Sequence, residues 1–162
     1  MLTAPQPLGP HHDLSGFNSG TPSLDDWLIR RARSNQTARA SRTFVVCDGE
    51  RVVAYYALAS GAITCNDAAS RTRRNMPDPI PVVVLGRLAV TQDYQGRQLG
   101  RGLVRDAAKR VIAASDEIGI RAIVVHAISA EARSFYLALG FLPSPTNDMT
   151  LMISLDDLKA SL

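Results

Sequence analysis

Val82–Ala114 reads VVVLGRLAVTQDYQGRQLGRGLVRDAAKRVIAA. Its first part, Val82 to Val90, is apolar and β-branched apart from Gly86 and Arg87, the pattern of a buried strand. A polar turn, TQDYQGRQLG, follows. Beyond it the apolar residues recur at helical spacing: Leu99, Leu103, Ala107, Val111, Ala114 and Ile118 form an i, i+4 ladder, with Val104, Ala108 and Ile112 beside it. The stretch is therefore strand, glycine-bearing turn, long helix.

The turn carries the chemistry. A helix N-terminus offers backbone N–H groups with no acceptor and the positive end of the macrodipole. Gly96, Gly100 and Gly102 allow close approach of a ligand, and Arg97 and Arg101 add fixed charge. Such a turn suits a diphosphate. A helix start with small residues for close packing is the alternative. The dinucleotide fingerprint G-x-G-x-x-G is not met, because the glycines fall at 96, 100 and 102.

The chain has 162 residues, 46% apolar and 20% charged, the make-up of an ordinary globular protein. We expect one domain over residues 1–162, burying about 70% of its unfolded surface. No apolar run approaches the ~20 residues that span a bilayer. MLTAPQPLGPHHD lacks the basic segment and apolar core of a secretion signal. A cytoplasmic protein with no membrane association is the expectation. Cys47 and Cys65 lie in strand-like runs without C-x-x-C partners, and three histidines do not complete a ligand set. Free buried thiols and no metal are expected. Of 18 basic residues 16 are Arg. Arg30, Arg31, Arg33, Arg39 and Arg42 fall between Trp27 and Cys47 with no acid among them, and Arg71, Arg73 and Arg74 form a second cluster. Clustered guanidinium groups fit a polyanionic partner, although an Arg-rich solvated surface has the same composition.

Taken in order, the chain opens with a Pro-rich segment leading to an edge strand near Leu8. A helix starts at Thr21-Pro22, with Leu24, Trp27, Leu28 and Ala32 on its apolar face. Thr43–Asp48 and Val52–Thr64 form a hairpin about Asp48-Gly49. Residues 66–81 read as a mobile loop holding the second Arg cluster. After the central unit come a strand at Arg121–Ile128, a helix capped by Ser129 and ended by Gly140, two short strands around a Pro-rich loop, and a terminal helix.

Gln95-Gly96-Arg97-Gln98-Leu99-Gly100 resembles the acetyl-CoA signature (Gln/Arg)-x-x-Gly-x-(Gly/Ala) of the GNAT superfamily of N-acetyltransferases, with Gln98 where the family usually has Gly. Ser134–Phe141, SFYLALGF, resembles the family's Y-x-x-x-G-F ending. The order of elements matches the GNAT arrangement over nearly the whole chain. The resemblance implies an α/β (α+β) fold, a central mixed, mostly antiparallel twisted sheet flanked by helices on both faces. It also implies acetyl-CoA as co-substrate, bound by Leu88, Ala89, Val90, Gln95, Gly96, Arg97, Gln98, Leu99, Gly100, Arg101 and Gly102. Tyr136 is implied as the catalytic residue near the thioester sulfur.

The segments SGFNSGTPSLDDWL, AYYALASGAI, LGRLAV and VVHAISAEARSFYLALGF resemble the toxin half of toxin–antitoxin pairs of the TacT type. That resemblance implies acetylation of the α-amino group of aminoacyl-tRNA, which inhibits translation. It further implies a ribbon-helix-helix antitoxin, a homodimer, and contact with operator DNA only through the antitoxin. Arg30, Arg31, Arg33, Arg39, Arg71, Arg73, Arg74 and Arg87 are the candidate tRNA contacts. Arg87, a charge inside an apolar strand, needs an anionic or carbonyl partner. It could orient the acceptor end of tRNA or pair at a dimer interface.

The residues suit this chemistry. An α-amino group titrates near 7.7–8.0, roughly two units below Lys, so a neutral fraction exists near neutral pH without a strong base. A backbone N–H of Leu88–Val90 can stabilise the oxyanion and Tyr136 can protonate the leaving thiolate. His126 reads as structural. A GNAT acting on a small amine or protein N-terminus, and a non-catalytic CoA- or antitoxin-binding module, are the competing readings.

Overall fold

Asp48-Gly49 does what an Asp-Gly pair between two apolar runs is expected to do: Gly49 takes φ +66° and closes a hairpin. The computed structural model describes residues 1–161. A two-residue edge strand, β1 (Gln6–Pro7), runs antiparallel to β2 (Arg42–Asp48), which pairs with β3 (Arg51–Ile63) from Arg42↔Leu58 to Asp48↔Arg51. The register shifts between Val46 and Cys47, where the pairing passes over Val53, a bulge on β3. Together with β4 (Ile80–Val90), β5 (Ala122–His126), β6 (Leu142–Pro143) and β7 (Thr150–Ser154), the strands lie in the order β1-β2-β3-β4-β5-β7-β6. The β4–β5 pair is parallel and the β5–β7 and β6–β7 pairs are antiparallel. The sheet is mixed and mostly antiparallel, as expected.

The chain divides into two compact units, Met1–Ala59 with Gly86–Ala107, and Ser60–Leu85 with Ala108 onward. In the first unit Thr43–Cys47 and Val52–Tyr56 are buried at every position, so both faces of the hairpin are covered. One face packs against α1 (Pro22–Arg30) and α2 (Ala32–Thr37), where Leu28, Ala32, Val45, Cys47, Val52 and Tyr55 share a core. On the other, Phe44 stacks on Tyr56, whose hydroxyl donates to Asp106 of α4 (Leu99–Ala114). Leu103, Val104, Ala107, Ala108 and Val111 are the buried side of α4. The ladder read from sequence stops there: α4 ends at Ala114 and Ile118 is 60% exposed.

The second unit holds β5, β6, β7, α3 (Ser70–Arg73), α5 (Ala130–Ala138) and α6 (Leu155–Ser161). Ala68, Ala69, Ile80, Val82, Ala122, Val124 and Met152 form its core.

Three expectations change. The segment after Trp27 is two helices broken at Arg31. Cys65 sits partly exposed in a 3-10 turn, Cys65–Asp67, whereas Cys47 is a buried free thiol on β2. Residues 66–81, read as a mobile loop, contain that turn and α3, and they are tethered. Arg121 Nε donates to the Thr72 carbonyl at 2.9 Å and its Nη2 to the Arg71 carbonyl at 3.0 Å, satisfying the C-terminal carbonyls of α3. Thr146 Oγ1 donates to Asp67 at 2.6 Å. Arg121→Ala should cost about 1 kcal/mol in denaturant unfolding, because charge-assisted bonds are lost at a partly exposed site. Tryptic cleavage at Arg71, Arg73 and Arg74 should accelerate in the native protein; an unchanged cleavage rate would show that the tether is idle.

Candidate functional site

β4 leads directly into the glycine-bearing turn. Its parallel ladder with β5 covers only Val82–Val84 against Ala122–Val124. Leu88, Ala89 and Val90 lie beyond that ladder, with Ala89 buried and the other two partly so. The turn is held from both sides. Thr91 Oγ1 donates to the Asn18 carbonyl at 3.1 Å, and the Gln92 N–H reaches the same carbonyl at 2.8 Å. The Gln95 amide donates to the carbonyls of Ser19 and Val90, both at 2.8 Å. Gln95, the first residue of the acetyl-CoA signature, thus ties the turn to the strand end and to the segment before α1.

Gly96 takes φ +80° and Gln98 φ +63°. Both are left-handed conformations that favour glycine. The first bond of α4 runs from the Gly102 N–H to the Gln98 carbonyl at 3.2 Å, so the N–H groups of Leu99, Gly100 and Arg101 have no acceptor in their own helix. Gly96, Arg97, Gln98, Arg101 and Gly102 are exposed. Arg97 lies over the Tyr94 ring at 4.7 Å. The turn therefore presents free donors, a helix N-terminus and two guanidinium groups to solvent, an arrangement able to hold a pyrophosphate. Gln98 thus holds a backbone conformation that glycine takes without strain. Gln98→Gly should raise stability by up to about 1 kcal/mol in denaturant titration by relieving the left-handed strain. Acetyl-CoA affinity should be retained; a destabilised variant would mean that the Gln98 side chain makes compensating contacts.

Tyr136 lies on α5, whose N-terminus is capped by Ser129 accepting from the Ala132 N–H at 3.1 Å. The ring is buried edge-on against Phe135 at 5.1 Å and Phe141 at 5.4 Å. Its hydroxyl has no hydrogen-bond partner among the described residues, so the core-packing alternative, with the hydroxyl on a neighbouring backbone group, lacks its bond. Burial pushes its pKa up to about 12, and the phenol stays protonated at neutral pH. His126, at the exposed end of β5, has Nδ1 3.0 Å from Thr150 Oγ1; this fits the structural reading.

The arginines separate by what they already hold. Arg33 donates to the carbonyls of Gly9 at 3.2 Å and His12 at 2.6 Å. Arg71 is engaged by both carboxylate oxygens of Asp157, which raises the Arg71 pKa and lowers that of Asp157. Arg39 occupies a left-handed position, φ +64°, after α2. Arg30, Arg31, Arg73 and Arg74 are exposed, and Arg73 lines a cavity of about 340 Å³ with Ser70, Leu142 and Ser144. Arg87 lies over the Trp27 ring at 4.5 Å. The sequence reading places Trp27 only on the apolar face of its helix. That it is the chain's single Trp, one turn before Arg30 and Arg31, was the available signal. Among the described residues no group of His, Cys, Asp and Glu could hold a metal ion, and no helix is long and apolar enough to cross a membrane.

Residues 39–143 match the acetyltransferase (GNAT) domain family. The chain is 50% identical over 158 residues to the tRNA-acetylating toxin of Mycobacterium tuberculosis, covering 98% of this chain and 95% of that one. Among solved structures it resembles AtaT complexed with acetyl-methionyl-tRNAfMet, at 27% identity and a TM-score of 0.91, covering 99% of this chain and 98% of that one. It also resembles a tyrosine-to-phenylalanine mutant of AtaT bound to acetyl-CoA and the C-terminus of the antitoxin AtaR, at 28% identity and a TM-score of 0.84, covering 99% and 97%. With the turn, the strand that feeds it and the fold all in agreement, the chain belongs to the GNAT acetyltransferase family.

Proposed function

We propose that this protein is an acetyl-CoA-dependent toxin that acetylates the α-amino group of aminoacyl-tRNA and so inhibits translation until a cognate antitoxin neutralises it. Tyr136 carries the reading: a phenol whose ring is buried and whose hydroxyl has no protein partner among the described residues, in a chain half identical over nearly its full length to a tRNA-acetylating toxin. Acetyl-CoA is held with its pyrophosphate on the N–H groups of Leu99, Gly100 and Arg101 and its pantetheine arm along Leu88–Val90. The neutral α-amine attacks the thioester carbonyl. A backbone N–H of Leu88–Val90 steadies the oxyanion. As the C–S bond breaks, the Tyr136 hydroxyl passes its proton to the sulfur, and the ammonium proton returns through solvent to the Tyr136 oxygen, restoring the phenol. A pKa raised to about 12 keeps that proton available across the physiological range.

The exposed Arg30, Arg31, Arg73, Arg74 and the partly buried Arg87 are the contacts we assign to tRNA, with Arg39 beside them. Arg33 and Arg71 have structural duties that reduce their share. A ribbon-helix-helix antitoxin, a homodimer, operator contact through the antitoxin alone, a single functional domain and a cytoplasmic location complete the proposal. They rest on the resemblance to TacT-type toxins.

The test is transfer of labelled acetyl from acetyl-CoA to a charged tRNA pool. Label should appear on the aminoacyl group, and Tyr136→Phe should lower kcat by about 10²–10⁴-fold with acetyl-CoA binding intact. Label only on small amines or protein N-termini would replace this reading with that of a different GNAT substrate, and no turnover with any amine would favour the non-catalytic module.

The pH profile gives an independent check on a hydrolysis-resistant, amide-linked acceptor. The rate should rise as the amine deprotonates near pH 7.7–8.0 and then hold level to about pH 10, because the acid does not titrate until about 12. A fall between about pH 8.5 and 10 would remove Tyr136 as the acid.

A further inference from the structure

Arg87 is a charge with an aromatic partner and no anion. No carboxylate among the described residues pairs with it, and no hydrogen bond to its guanidinium is formed. Its Cζ lies 4.5 Å from the centre of the Trp27 ring, close enough for the planar cation to lie against the indole face. The support beneath is rigid. Trp27 stacks on Tyr55 at 6.0 Å and 11° between planes, and Tyr55 meets Phe17 edge-on at 5.5 Å. The fully buried Tyr55 donates its hydroxyl to the Leu24 carbonyl of α1 at 2.7 Å. The start of α1 is fixed by Asp25, which accepts from the Ser19 N–H at 3.0 Å and hydroxyl at 2.7 Å.

Both Trp27 and Arg87 are partly exposed. Arg30 and Arg31, at i+3 and i+4 from Trp27 at the end of α1, are its neighbours and exposed. Arg87 is also the residue immediately before Leu88–Val90. A planar cation held on an aromatic column, short of an anion and flanked by two free arginines, matches how proteins hold unpaired nucleotides: stacking on aromatic rings or guanidinium planes, with phosphate contacts alongside.

We propose that Arg87 on Trp27 is the stacking platform for the 3′-terminal adenine of the tRNA acceptor, with the guanidinium N–H edge on the adjoining phosphodiester. This rests on the proposed tRNA reading and deepens it. It makes Arg87 an amino-acid-independent anchor, since every charged tRNA presents the same terminal nucleotide. The dimer-interface role considered for Arg87 is the competing outcome.

Binding of uncharged tRNA, intact or lacking only its 3′-terminal adenosine, isolates the contact from the bulk phosphate charge. Wild type should bind intact tRNA about fivefold or more tightly than the shortened form, the range of one stacked base. Arg87→Ala should bind both forms equally. Arg87→Lys, which keeps the charge and the fold but loses the plane, should also lose most of the discrimination. Equal binding of both tRNAs by wild type, or loss of the same factor on both tRNAs in Arg87→Ala and Arg87→Lys, would overturn the platform. So would binding of neither tRNA by wild type. If wild type discriminates between the two tRNAs yet transfers no acetyl to aminoacyl-tRNA, the platform stands and the reaction assigned above falls.

Discussion

A helix that begins in solvent leaves its first N–H groups without acceptors, and the start of α4 is held in that state by everything around it. Leu99, Gly100 and Arg101 have no intrahelical partner because the first bond of α4 closes from Gly102 to Gln98. The chain could relax by capping this end with a side chain. It instead spends the nearby polar groups on fixing the turn: Gln95 on Ser19 and Val90, Thr91 and Gln92 on Asn18. The left-handed Gln98 is part of the same constraint. A non-glycine residue tolerates φ +63° only where its surroundings leave no alternative.

Electrostatics follows a similar division. The sequence is rich in arginine, yet several guanidinium groups serve the fold. Arg33 satisfies the carbonyls of Gly9 and His12, Arg121 those at the end of α3, and Arg71 pairs with Asp157. Exposed pairs of the last kind add little stability, but they reduce the positive field available to a polyanion. The basic groups left without acidic partners at Arg30, Arg31, Arg73, Arg74 and Arg87 are a smaller set than the residue count suggests.

Tyr136 shows how burial and chemistry combine. Removing the phenol from water disfavours its anion and lifts the pKa to about 12. The same burial, against Phe135 and Phe141, orients the ring. Such a phenol keeps its proton throughout the neutral range, as the acid proposed for a departing thiolate must.

Much of this protein was legible in the string because its local signals are strong and agree with one another. Asp48-Gly49 fixed the hairpin through turn chemistry. The run from Val82 to Ala114 fixed strand, turn and helix through a change of period from the strand's to the helix's. Gln95–Gly100 and Tyr136–Phe141 carried the resemblance to the acetyltransferase family to which the chain belongs. Tertiary structure decided what spacing does not encode. The break at Arg31 and the end of α4 at Ala114 emerge only in the folded chain, and the anchoring of residues 66–81 depends on partners distant in sequence, Arg121 and Thr146. The sorting of the arginines, with Arg87 on Trp27 and Arg71 on Asp157, depends on them too. A side chain's type is written in the sequence, but whether its charge is already taken depends on which distant groups the folded backbone brings within a few ångströms of it.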